Sequence, residues 1–274
     1  CHAADYRRDI ARYFSMLAAI QGIAPVVAPV IGGVTFSFTS WQGTFAVLGI
    51  WALCLLFVCR GLHETLSKAN RLRMPVLMTF RCYIPVLKNG RYIVMNLLQS
   101  FSSAALIAYI SASPFIFQNH FGLTPLEYGV CFAANALGLV VGSSIVVKIR
   151  NLTSATPWCS IGLFVSSVMV SVALWAEWPF AVFELALVVM LLCVGMITPV
   201  GITLALNSVN EYRGIASAML GSFPFLLGGL VAPLTGLGNM IHSMTALVLL
   251  CSAICLCLYM YSRRWKYDFN PKTA

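Results

Sequence analysis

Charge is what this sequence lacks most. Asp, Glu, Lys and Arg make up 9% of its 274 residues, with just 8 acidic side chains against 17 basic ones, whereas a soluble domain carries about 25% charged residues. So few charges cannot cover a fold that is 60% hydrophobic. A soluble enzyme, a disordered chain and a secreted disulfide scaffold are all excluded. The sequence also lacks any Cys-x-x-Cys pair or Cys/His cluster at metal spacing, although it has 10 cysteines. Cys54, Cys131, Cys193, Cys251, Cys255 and Cys257 lie in apolar runs, where a thiol behaves as a small hydrophobe. His2, His63, His120 and His242 fall between those runs or at their edges, so no acid–base or metal cluster forms within them. Neither an enzyme nor a metal or organic cofactor is expected.

What the sequence does have is long apolar runs. A hydrocarbon core about 30 Å thick needs roughly 20 apolar residues per helix. Eight runs qualify: 13–36, 41–62, 92–117, 127–147, 158–176, 180–206, 215–237 and 241–262. Their unbroken length points to helices, since barrel strands alternate apolar and polar at every second residue. The expected fold is an all-α membrane protein in a lipid bilayer. Trp41, Trp158, Trp175, Trp178 and Trp265 stand at span ends, as interfacial anchors do.

Basic residues set the orientation. Arg7, Arg8 and Arg12 precede the first span. Lys68, Arg71, Arg73, Arg81, Lys88 and Arg91 lie between the second and third, with Arg60 at the edge. Lys148 and Arg150 follow the fourth, Arg213 the sixth, and Arg263, Arg264, Lys266 and Lys272 the eighth. The alternate gaps (37–40, 118–126, 177–179 and 238–240) contain none. Both ends of the chain are therefore expected on the cytoplasmic side of a cell (inner or plasma) membrane. The net charge of +9 is a topology signal rather than a nucleic-acid footprint.

The spans divide unevenly. Residues 63–91 form a basic loop containing Pro75 and Pro85, with an amphipathic stretch from Met74 to Leu87 suited to the membrane surface. This gives a two-helix segment (1–62), a cytoplasmic central loop (63–91), a six-helix bundle (92–262) and a cytoplasmic tail (263–274). Ala28-Pro29-Val30-Ile31-Gly32 in the first span is echoed by Ala232-Pro233-Leu234-Thr235-Gly236 in the seventh. Matching interrupted helices are the mark of repeat-built transporters. The seventh span is the fifth after the loop, whereas its echo is the first span before it. Equivalent halves would therefore place four more helices, roughly 110–130 residues, ahead of Cys1.

With these residues in view, the chain resembles the major facilitator superfamily, and more narrowly the Bcr/CflA-type drug–proton antiporters. Gly22 to Gly33 (GIAPVVAPVIGG) is similar to the antiporter motif of that family's fifth helix, with Ser15, Ala24 and Ala28 where the family has glycine. His63-Glu64-Thr65-Leu66 resembles the Pro-Glu-Thr that ends the sixth helix, with His63 in place of the proline. Ser113-Pro114-Phe115-Ile116-Phe117 and the stretch from Asn207 to Gly221 resemble the seventh helix and the tenth-to-eleventh loop. The resemblance implies a facilitator-type bundle in which the eight spans correspond to helices 5–12 of 12. It also implies proton-coupled efflux of small amphipathic compounds by alternating access, from a protein that is a monomer when complete. Transport of another small metabolite, or a truncated product without activity, stays open as an alternative.

Candidate site residues follow. Gly22, Pro25, Pro29, Gly32 and Gly33, with Gly228, Gly229, Pro233 and Gly236 in the echo, suit either a kinked seal between bundles or ordinary helix packing. Asn96, Gln99 and Ser103 share one face of the third span. Polar groups are costly against lipid, so that face is expected to point inward, and the resemblance makes it part of a substrate cavity. Tyr109 and Phe117 suit stacking on aromatic cations or packing. Asn135, Thr198 and Thr203 are further cavity candidates, although Thr often bonds its own helix. Glu184 is the one acid clearly inside a span; it suits either a proton site or a side chain reaching the outer interface.

Overall fold

The computed structural model describes residues 38–61, 80–147, 152–209 and 211–264, with positions 31, 32, 35 and 149. Two compact units are present, Cys1–Val76 and Leu77–Ala274, and each is described by itself. Most of the first expected span, including Gly22, Pro25, Pro29 and Gly33, lies outside the described residues. Ile31, Gly32 and Thr35 are helical.

The first unit contributes α1 (Trp41–Arg60), which has no buried residue. Phe45, Trp51, Leu55 and Phe57 are each more than half exposed. A helix that is apolar on every side belongs in lipid or among other helices. Its ends agree, with Trp41 at one and Arg60, 5.6 Å above the Phe57 ring, at the other.

The second unit opens with a 3-10 turn at Phe80–Cys82 and a short helix, α2 (Tyr83–Lys88). Six long helices follow: α3 (Gly90–Phe115), α4 (Pro125–Val147), α5 (Leu152–Trp175), α6 (Phe180–Asn207), α7 (Arg213–Leu234) and α8 (Met240–Ser262). A π-helical turn, Ile116–His120, extends α3. Seven helices are long and apolar enough to cross a membrane, and no strand occurs among the described residues. In the bundle α3 packs on α6, α7 and α8, α6 also packs on α4 and α5, and α8 on α5.

Capping chemistry moves several span ends from where hydropathy puts them. The end of the expected loop is helical, because Asn89 caps α3 by accepting from the Tyr92 N–H at 3.2 Å and donates to the Ser208 carbonyl at 2.7 Å. α4 begins at Pro125, two residues early, because Thr124 and Glu127 form a capping box. The Thr124 N–H and hydroxyl both donate to the Glu127 carboxylate at 2.8 Å, and proline takes the first helical position. α5 starts at Leu152, six residues before the apolar run at 158–176, and runs through Pro157. α7 ends at Leu234 instead of 237. The Thr235 and Gly236 N–H groups reach back only three residues, to Ala232 and Pro233, so the turn tightens and the helix stops.

Bare backbone contact joins α4 and α6. A Cβ on Gly142 would lie 2.1 Å from the Leu192 carbonyl oxygen, and one on Gly195 would lie 2.3 Å from that of Leu139. In each case the glycine hydrogen in that place points at a carbonyl of the facing helix, the geometry of a weak Cα–H···O contact. Only glycine permits so close an approach.

Candidate functional site

Prolines inside α3 and α7 vacate backbone acceptors, and side chains fill them. Pro114 has no N–H for the Ile110 carbonyl, and the Ser113 hydroxyl donates to it at 3.0 Å. Pro224 likewise leaves the Leu220 carbonyl without its ladder donor, and the Gln99 amide donates to it at 2.9 Å from α3. Gln99 is therefore a clamp between α3 and α7. A second clamp runs from the Tyr92 hydroxyl to the Ala216 carbonyl at 2.6 Å.

On the face carrying Asn96, Gln99 and Ser103, Asn96 and Gln99 are buried. Asn96 accepts from the Ser100 hydroxyl at 3.3 Å, and its amide nitrogen meets no acceptor among the described residues. Ser103 is half-buried. Thr198 donates to the Val194 carbonyl of its own helix at 3.1 Å, and Thr203 is half-buried one turn and a half further along α6. In the seventh-span echo, a Cβ on Gly228 would meet the Ile107 side chain, whereas one on Gly229 would meet nothing within 4 Å. Pro233 sits in the last turn of α7, and Gly236 falls beyond the helix. A Cβ on Gly32 would also meet nothing within 4 Å.

Three separately nominated residues come together between α3, α4 and α6. Asn135, 1% exposed, donates from Nδ2 to the Tyr109 hydroxyl at 3.0 Å. The Glu184 carboxylate lies beside both. Both of its oxygens are buried and neither makes a hydrogen bond among the described residues, although the Asn135 amide faces them; Asn135 Oδ1 is likewise buried without a hydrogen bond. Glu184 therefore points into the bundle and does not reach out to the interface. Aromatic rings surround the cluster. Tyr109 stacks on Phe132 with centroids 6.4 Å apart, and Phe117 meets Tyr128, Phe180 and Phe183 edge-on at 5.6–5.8 Å. Phe117 is thus a packing residue at the far end of α3.

Sequence reasoning missed the Tyr92 clamp, the capping box and the α4–α6 glycine crossing. Gly138-x-x-x-Gly142 was the available signal for the last. Nothing local marks Tyr92, because its partner lies on a distant helix.

Known proteins agree with this architecture. The family model described as the Major Facilitator Superfamily matches residues 6–233. The uncharacterized MFS-type transporter YdgK of Bacillus subtilis (strain 168) is 28% identical over 238 residues, covering 85% of this chain and 59% of that protein. The bicyclomycin resistance protein homolog of Haemophilus influenzae is 23% identical, covering 82% and 58%. The multidrug transporter MdfA of Escherichia coli O157:H7 is 24% identical, covering 78% and 53%. Among solved structures, a bacterial homologue of the iron transporter ferroportin, in its outward-facing state, superposes with a TM-score of 0.61. It is 15% identical, with 94% of this chain and 64% of that one covered, a likeness of fold alone. The chain spans less than two thirds of the length of each of these relatives. With the family model covering most of its length, the chain belongs to the major facilitator superfamily.

Proposed function

We propose that this chain serves, within the whole transporter, the export of small amphipathic compounds of the drug type, driven by protons and working by alternating access. The family and the relatives named above are transporters, not enzymes. The observation that carries the finer reading is that two relatives named for drug resistance or multidrug transport match across 82% and 78% of this chain. The bicyclomycin resistance homolog also supports the narrower Bcr/CflA-type assignment. The one-sided distribution of Lys and Arg supports a cell-membrane protein with both ends of this chain cytoplasmic. Ser103 and Thr203, half-buried polar groups on α3 and α6, are the proposed substrate contacts, while Gly32, Gly228 and Pro233 serve helix packing and bending.

The test is accumulation of a panel of amphipathic drugs in efflux-deficient bacteria expressing the full-length gene. At least one compound is expected to be held at lower internal concentration than in empty-vector cells, and a protonophore is expected to abolish the difference. If no compound is expelled, or if export survives collapse of the proton gradient, the reading fails.

A further inference from the structure

The cluster between α3, α4 and α6 holds more acceptors than donors. Glu184 Oε1 and Oε2 and Asn135 Oδ1 are buried and make no hydrogen bond among the described residues. Asn135 Nδ2 gives one of its two N–H groups to the Tyr109 hydroxyl at 3.0 Å, so its second N–H and the Tyr109 O–H are the neutral donors that face the carboxylate. No Lys or Arg of α4, α5 or α6 relieves the imbalance. The sequence has no Lys or Arg between Arg91 and Lys148 or between Arg150 and Arg213, so α4, α5 and α6 carry no basic residue along their described lengths. A bare carboxylate shut away from water with no counter-charge is disfavoured even beside neutral donors. The oxygens are too enclosed for a drug-sized cation to touch, whereas a proton needs no room.

We propose that Glu184, Asn135 and Tyr109 form a proton-binding site inside the second unit. The proton adds to one carboxylate oxygen of Glu184. The resulting O–H turns to Asn135 Oδ1 and supplies the hydrogen bond that oxygen lacks. Loss of the proton restores an anion that calls for water. Uptake and release are thereby tied to whether this part of the bundle is closed or wetted. The inference rests on the reading of the protein as proton-driven.

Other titratable groups flank the site on each packed element. Tyr109 approaches from α3, beyond which His120 rests on the Phe121 ring. Tyr128, Cys131 and Glu127 lie on α4, with Cys131 near Glu184 and Glu127 bound at Thr124. On α5, Cys159 sits beside Cys193, more than two turns along α6 from Glu184, and Glu177 lies in the turn between α5 and α6. The basic group of α7, Arg213, is held at the Val209 carbonyl at 3.3 Å near the other end of α6.

Infrared difference spectroscopy of the full-length protein, purified and stepped through pH, reads the site directly, because a carboxyl C=O stretch exists only in the protonated acid. The wild type is expected to show such a band growing as pH falls. E184Q should lack it, and N135A should shift its frequency, since the acid has lost a hydrogen-bonding neighbour. E184Q is isosteric and keeps a donor on the side chain, so its melting temperature should match the wild type. If it does not fold, the N135A shift decides alone. Identical spectra for wild type and E184Q, or a band that N135A leaves in place, overturn the proposal. The band is read without transport, so the two failures separate: a band with no proton-driven export sinks the transport reading alone, and export with no band sinks this site alone.

Discussion

Replacing Gly142 by alanine is the sharpest test of how the bundle is packed. On an exposed helix the change is favourable by up to about 1 kcal/mol, because alanine loses less backbone entropy. At Gly142 the new Cβ would lie 2.1 Å from the Leu192 carbonyl oxygen, with the Leu192 carbonyl carbon at 3.0 Å. Ordinary contact, near the 3.4 Å that separates a Cβ on Gly138 from the Val188 oxygen, requires a retreat of roughly 1.3 Å (3.4 less 2.1). The obstacle is backbone, so no rotamer change relieves it, and α4 and α6 must move apart. Gaps of 0.5–1 Å forfeit about a quarter to a half of a dispersion well, and overpacking in well-filled interiors costs about 1–3 kcal/mol. Gly142→Ala is therefore expected to destabilise by about 1–3 kcal/mol despite its propensity gain. The same helix supplies the controls. A Cβ on Gly129 meets nothing within 4 Å, so Gly129→Ala should be neutral or mildly stabilising, with Gly138→Ala between the two. Thermal unfolding of the three full-length variants in detergent, followed by fluorescence-detected size exclusion, ranks them. If Gly142→Ala melts with or above Gly129→Ala, the close crossing is wrong.

Further tests address the clamps and caps. Gln99→Leu should cost about 1–3 kcal/mol by leaving the Leu220 carbonyl buried without a donor, and most of that loss should vanish in a Pro224→Ala background, where the helix regains its own N–H; equal losses in both backgrounds would refute the repair. Tyr92→Phe should cost about 1 kcal/mol through the lost bond to Ala216, measured by the same thermal ranking. Thr124→Ala should cost about 1 kcal/mol as well and increase hydrogen exchange in the first turn of α4 while leaving its far end protected.

The spans were legible because lipid demands long apolar runs, and a run of twenty residues survives almost any detail of packing. Their ends were not, since an end is decided by a few hydrogen bonds. Thr124-Pro125-Leu126-Glu127 carries a capping box in plain view, yet hydropathy gives it no weight. Tyr109, Asn135 and Glu184 each stood out as a polar group in an apolar run. Their meeting depends on how α3, α4 and α6 are rotated about their axes, which no local pattern records. Gln99 shows the same limit from the other side. Its polarity was visible, but its partner is set by a proline on α7.

The two proline repairs differ in reach, and the difference bears on movement. Ser113 mends the gap above Pro114 from within its own helix, and its hydroxyl also lies 3.0 Å from the Tyr128 hydroxyl, so that bend is tied to α4 as well. Gln99 mends α7 from outside. Together with Tyr92 on Ala216 and Ile107 against Gly228, it makes three fasteners along two helices that run in the same direction. A pair pinned at its start, its middle and beyond cannot slide or twist apart without breaking all three. Any change of shape that keeps these three contacts carries α3 and α7 together as one strut.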